Sequence, residues 1–162
     1  MNRTRKSATA PLPAASADPP TTTAYAPRVR RTIADFMTRS PHSVGRDQPL
    51  ETAHAIMRKH AIRHLPVLEG GKLAGLLSQR DLYFVESLGG IDTNTVTVDE
   101  AMSQETYSVR ADAPVEEVAL DMAEHKYGCA VVMDGARVVG VFTTTDALHA
   151  LATIQGRARR EP

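Results

Sequence analysis

Ser78 and Asp81 stand three residues apart behind Gly75, and Thr143 and Asp146 repeat the pair behind Gly140. Each pair puts a hydroxyl, free backbone N–H groups and a carboxylate at the start of a predicted helix, a place that attracts an anion. The carboxylate has a second use. It accepts two hydrogen bonds from a vicinal diol such as a ribose, each charge-assisted bond contributing about 1.5–3 kcal/mol. The same residues also read as Ser/Thr-x-x-Asp capping boxes that only start a helix.

Two copies of this pattern imply a duplication. Shifting the chain by 65 residues lays Met37–Asp81 on Met102–Asp146 without a gap, and 12 of the 45 positions are identical. Chance would give roughly three at ordinary residue frequencies. Among the identities are Ser43 with Ser108, Asp47 with Asp112, Pro49 with Pro114 and His60 with His125. An internal repeat of this kind has to organise the fold.

The elements that position the motif follow in order within each copy. Small strands are predicted around Ser43-Val44 and Ser108-Val109. Asp47 with Pro49, and Asp112 with Pro114, read as helix starts, with helices to about His60 and His125. Leu50, Ala53, Ile56, Met57 and His60 make the apolar face of the first of these. Two strands then join through Gly70-Gly71, or through Asp134-Gly135, as hairpins. The helix over 79–88 buries Leu82, Phe84, Val85 and Leu88 and stops at Gly89-Gly90; the last helix runs over about 144–154 and ends near Gly156. Each copy is thus strand, helix, strand, strand, helix. One such copy leaves a sheet face bare, so the α+β pair must pack about a pseudo-two-fold axis, making two related clefts.

The boundaries expected are a disordered basic tail over 1–30, rich in Pro, Ala and Thr, repeats over 31–90 and 96–154 with a linker at 91–95, and a basic tail over 155–162. The formal net charge of zero hides an asymmetry, because residues 1–31 carry +5 and 155–162 carry +2, leaving the repeats at −7. An acidic core disfavours nucleic acid as a main partner, although Arg28–Arg31 and Arg157–Arg160 offer it a weaker contact. Cys129 is the only cysteine, and no stretch is long enough to span a membrane, so a reducing, cytoplasmic compartment is the default. Residues 1–17 are basic and free of acid like a transit peptide, but Pro11 and Pro13 spoil the amphipathic helix one needs.

Asp47-Gln48-Pro49-Leu50, the His64-Leu65-Pro66-Val67 strand, the Gly70-Gly71 hairpin and Gly75–Asp81, each with a partner 65 residues on, together resemble a tandem pair of cystathionine-β-synthase (CBS) domains, the Bateman module. The resemblance covers about residues 32–154. It implies a regulatory module, not an enzyme, that binds AMP, ADP, ATP or in some members NAD or S-adenosylmethionine in the clefts between repeats. It implies no catalytic cofactor, frequent homodimers, and signalling to a protein partner through a change of conformation. With no fused enzyme or channel in the sequence, a stand-alone version is expected. A ligand-free structural dimer or adaptor, contacting partners through its surface and basic tails, is the alternative.

Carried over by position, Asp81 and Asp146 match the ribose-binding aspartates, and Ser78 and Thr143, with Arg80 beside Asp81, the phosphate side. His42, Ser43, Val44 and Ile62 in one copy, and Tyr107, Ser108, Val109 and Tyr127 in the other, match the segments enclosing adenine. The resemblance pairs each aspartate with the opposite copy's adenine segment, so Asp81 works with Tyr107, Ser108, Val109 and Tyr127. Arg63 and His64 match basic groups set against phosphates, while their counterparts are Gly128 and Cys129. The Asp81 cleft is therefore expected to bind charged nucleotides more tightly.

Other constellations fall away. His60, His64, His125 and Cys129 are soft ligands at matched spacing, but a helix ends between each pair, so no metal site is expected. Cys129 beside Ala130-Val131-Val132 reads as a small buried hydrophobe. Ser78, His64 and Asp81 form a triad only by residue type.

Overall fold

The computed structural model describes residues 30–158; of the tails expected over 1–30 and 155–162, residues 1–29 and 159–162 lie outside the described residues. The chain forms a 3-10 turn (Ile33–Asp35), β1 (Thr38–Arg39), β2 (Val44–Gly45), α1 (Leu50–His60), β3 (His64–Glu69), β4 (Lys72–Ser78) and α2 (Gln79–Ser87). It continues with α3 (Val98–Ala101), β5 (Ser108–Arg110), α4 (Val115–His125), β6 (Cys129–Asp134), β7 (Arg137–Thr143) and α5 (Thr144–Ala158). The mixed α+β architecture and the order strand, helix, strand, strand, helix are those read from the repeat.

In each repeat the small strand lies parallel to the first hairpin strand, Val44 opposite Val67 and Ser108 opposite Val131, and the hairpin is antiparallel. β3 buries Leu65, Pro66 and Val67 in succession, and β6 buries Cys129 to Val132. Such unbroken burial means that both faces of each sheet are covered.

The segment leading into each repeat crosses to the other one. Thr32–Met37 reads with the first repeat in sequence, yet Ile33 and Met37 pack into the second core with Val115, Val118, Met122 and Phe142. The Ile33 and Ala34 amides donate to the carbonyls of Ala113 and Ala111, each at 2.9 Å, and β1 pairs with β7. Reciprocally, Val98 is fully buried in the first core with Leu50, Leu65, Leu77 and Leu82. The Val98 and Asp99 amides donate to the carbonyls of Gln48 and Arg46, also at 2.9 Å, and Leu76 bridges Ser103. The exchange explains the two motif glycines. A methyl on Gly75 would stand 2.6 Å from the Ser103 carbonyl oxygen, and one on Gly140 2.6 Å from Met37 Sδ and 3.0 Å from the Thr38 oxygen.

Three local expectations are corrected. Neither Asp47 nor Asp112 caps a helix through its side chain; Pro49 and Pro114 occupy the cap positions, with their extended backbone leading into the first turn. On α2 only Leu82 and Val85 are buried, while Phe84 (65% exposed) and Leu88 (55%) face outward. Residues 82 and 85 share one side of a helix, and 84 lies just over half a turn, about 200°, from 82. Finally, α5 continues through Gly156 to Ala158.

Candidate functional site

Ser78 ends β4 in extended backbone and caps α2, so hairpin and helix together aim its hydroxyl and the Asp81 carboxylate at one point. The Ser78 amide and hydroxyl donate to Asp81 Oδ2 at 2.8 and 2.6 Å, and the Asp81 amide donates back to Ser78 Oγ at 3.3 Å. Thr143 and Asp146 repeat this arrangement at 2.8, 2.7 and 3.4 Å. Both capping boxes are therefore complete, and Oδ1 of each aspartate takes no part in them. The helix N-termini are less open than the sequence suggests, since the Gln79 amide donates to the Arg63 carbonyl at 2.8 Å and the Thr144 amide to that of Gly128 at 3.2 Å.

Around the Asp81 box lies a cavity of about 1130 Å³. From the first repeat it takes Arg63, His64, Ser78, Arg80 and Asp81; from the second it takes Tyr107, Ser108 and Tyr127. These eight residues are thus brought together across the pseudo-two-fold axis. Val109, expected with them, instead packs against the second core.

The aromatic wall is ordered. Tyr107 and Tyr127 stack with centroids 4.8 Å apart, His125 stacks on the other ring of the pair, Tyr127, at 5.3 Å, and the Tyr107 hydroxyl donates to Asp121 Oδ2 at 3.0 Å. Burial, then that hydrogen bond, pushes the Tyr107 phenol up to about 12. It stays a neutral donor at physiological pH.

Sequence reasoning missed Lys126, which also lines the cavity. It ends α4 in the left-handed region (φ 60°), as Ala61 (φ 53°) ends α1. Its only signals were adjacency to Tyr127 and an alanine at the matched position. Arg63, Arg80 and Lys126 form no ion pair among the described residues, although Asp81 and Glu105 share the cavity. Partial burial, with Arg63 and Arg80 nearby, holds the His64 imidazole below its ordinary pKa against the opposing pull of Asp81. His64 lies against Gly128, where an added methyl would stand 3.0 Å from its Nε2.

The remaining expected residues assemble differently. Val44 is buried in the first core and Ile62 packs against it, while Ser43 is half-buried and His42 exposed. His42 stacks on His60 with centroids 3.7 Å apart, in the place where the other copy has Tyr107 and His125. His42 thus stands in place of Tyr107, and Ile62 in place of Tyr127, so that copy has no tyrosine pair.

Cys129 is buried, and burial first, then Asp146, pushes its thiol up to about 12. Native protein at pH 8 is therefore expected to react with a disulfide reagent far more slowly than urea-unfolded protein; equal rates would contradict this burial.

The family model for the CBS domain matches residues 33–86 and 98–153. The chain belongs to the CBS domain family. It is 33% identical to Hypoxic response protein 1 of Mycobacterium tuberculosis over 116 residues, 71% of this chain and 81% of that protein. A crystal structure of Hypoxic Response Protein I with two coordinated zinc ions is 30% identical, with a TM-score of 0.64 over 82% of this chain and 100% of that one. The putative acetoin utilization protein AcuB from Vibrio cholerae superimposes with a TM-score of 0.73 at 31% identity, covering 83% of this chain and 100% of that one. The CBS domain pair of protein MJ0100, solved with 5-methylthioadenosine and S-adenosyl-L-methionine, gives 0.68 at 27% identity over 75% and 99%. No helix among the described residues is long and apolar enough to cross a membrane.

Proposed function

We propose that this CBS pair is a regulatory module that binds an adenosyl nucleotide in the Asp81 cavity. The carrying observation is the convergence, in about 1130 Å³, of a capping-box carboxylate from one repeat with a stacked tyrosine pair from the other. Adenine packs against Tyr107 and Tyr127 near Ser108, and the ribose diol donates to Asp81. The phosphates lie toward Ser78, Arg63, His64, Arg80 and Lys126, three of which are full cations without an ion-pair partner among the described residues. The MJ0100 pair, solved with two adenosyl ligands, supports this class of ligand. AMP, ADP and ATP suit the cationic end better than S-adenosylmethionine; NAD is a further candidate.

In the other copy, Thr143 and Asp146 are assigned the equivalent roles, with His42, Ser43, Val44 and Ile62 opposite them. That site lacks the Arg63 cation, whose counterpart is Gly128. We assign a homodimer to the exposed apolar residues Phe84, Leu120 and Leu148. Ligand binding then alters the packing of the repeats and the surface presented to a protein partner, by no more than its differential affinity for the two arrangements. A cytoplasmic location and a non-catalytic role belong to the same reading.

Thermal unfolding with millimolar AMP, ADP, ATP, NAD and S-adenosylmethionine tests it. A ligand at 100 times its Kd stabilises by about 2.7 kcal/mol, several degrees for a domain of this size. A shift with none of them selects the ligand-free structural dimer or adaptor, which the completed capping boxes favour.

His64 makes the binding pH-dependent. Its depressed pKa means that protonation costs stability in the free protein as pH falls below about 6.5. A bound phosphate raises that pKa, so binding takes up a proton and tightens from pH 8 to pH 6. Titrations of wild type and His64→Gln at both pH values isolate the effect from the ligand's own ionisation; an identical pH slope in the two would refute it.

A further inference from the structure

We propose that Asp121, Glu124 and His125 form a binding site for a divalent transition-metal cation of the zinc class, on the outside of the cavity's aromatic wall. The three residues stand at i, i+3 and i+4 on α4, all exposed, with their ligand atoms within 4.8 Å of one another. His125 Nδ1 lies 3.0 Å from the Asp121 carbonyl oxygen. It donates there, which leaves the Nε2 lone pair for a metal. Stacking on Tyr127 with an interplanar angle of 9° fixes the ring. From outside the cluster, the Tyr107 hydroxyl holds Asp121 through Oδ2. An imidazole whose other nitrogen donates to a carbonyl, beside a carboxylate that is itself hydrogen-bonded, is how ligands of a metal are held in orientation.

The donor set selects the cation. One imidazole and two carboxylates suit zinc and its neighbours, with a coordination position left open, whereas magnesium favours an octahedral all-oxygen shell. The repeat supplies an internal control. Residues 65 earlier are Ile56, Lys59 and His60, so that copy retains only the histidine and sets a cation beside it. The site is a property of the second repeat alone. Because Tyr107 and Tyr127 also line the cavity, metal and cavity share one wall, but metal binding does not depend on the nucleotide reading.

The test is a zinc titration of the full chain, stripped with EDTA, against a chromophoric chelator. One saturable equivalent is expected, not displaced by millimolar magnesium. Tyr107→Phe should weaken it about 10-fold, in the range for groups that orient a ligand, and His125→Ala by more than about 100-fold. Asp121→Asn, which keeps an acceptor for Tyr107 and guards against misfolding, should also weaken it, while His60→Ala should not. Absence of saturable zinc binding by the wild-type chain would overturn the site. So would wild-type affinity in His125→Ala, or an equal loss in His60→Ala.

Discussion

Asp81→Ala is expected to abolish most of the ligand-induced stabilisation and weaken nucleotide binding by roughly thirtyfold, the equivalent of losing about 2 kcal/mol of charge-assisted hydrogen bonding. It also removes half of a capping box, so the ligand-free protein should lose about 0.5–2 kcal/mol of stability. Asp146→Ala breaks a box of nearly identical geometry and should cost the same in ligand-free stability. Its effect on nucleotide affinity should be smaller, because the matched position to Arg63 is Gly128 and His42 and Ile62 stand where the other copy stacks Tyr107 on Tyr127. Unfolding without ligand separates the shared capping loss from the unequal binding loss in isothermal titration. Equal losses of affinity in the two variants would remove the asymmetry, and no loss in either would leave the carboxylates as helix caps alone.

Gly75→Ala is expected to destabilise the fold by about 1–3 kcal/mol, the usual cost of forcing a methyl into packed structure. That corresponds to a fall in Tm of roughly 3–10 °C for a chain of this size. The new carbon would stand 2.6 Å from a backbone oxygen, Ser103 O, and 2.7 Å from Met102 Sδ, so the crossing segment itself has to move. Gly140→Ala should cost less. Its nearest obstacle is the flexible Met37 thioether, and the backbone oxygen of Thr38 stands back at 3.0 Å. Thermal unfolding of the two variants reads the order directly, and a larger loss at Gly140 would contradict this account of the exchange.

The glycines show where the sequence was legible and where it was not. Gly75 and Gly140 stand out as equivalent because the duplication is ungapped, and they read as part of an anion motif. What they accommodate is a strand arriving from the other repeat. Side-chain periodicity describes one element at a time and carries no information about which core an apolar turn such as Ile33–Asp35 enters. Phe84 and Leu88 failed for a related reason. Apolar character was read as burial, although most of a helix surface in a small domain meets solvent or a partner. Lys126 was missed because solvent-facing lysines are common, and only the fold places this one in a cavity wall.

The sequence by itself determined the duplication, the order of strands and helices, the two Ser/Thr-x-x-Asp boxes and the loss of Arg63 from the second copy. All of these are local or are carried by direct comparison of the chain with itself. Tertiary structure alone decided that the lead-in segments trade places, that Tyr107 and Tyr127 stack into one wall while His42 and His60 form the other copy's pair, and that the α4 face carrying Asp121 and His125 lies beside that wall. The first depends on how the two repeats meet and the others on how loops fold back onto a helix end within one repeat, and such contacts between residues distant along the chain are set by shape and packing that no local pattern encodes.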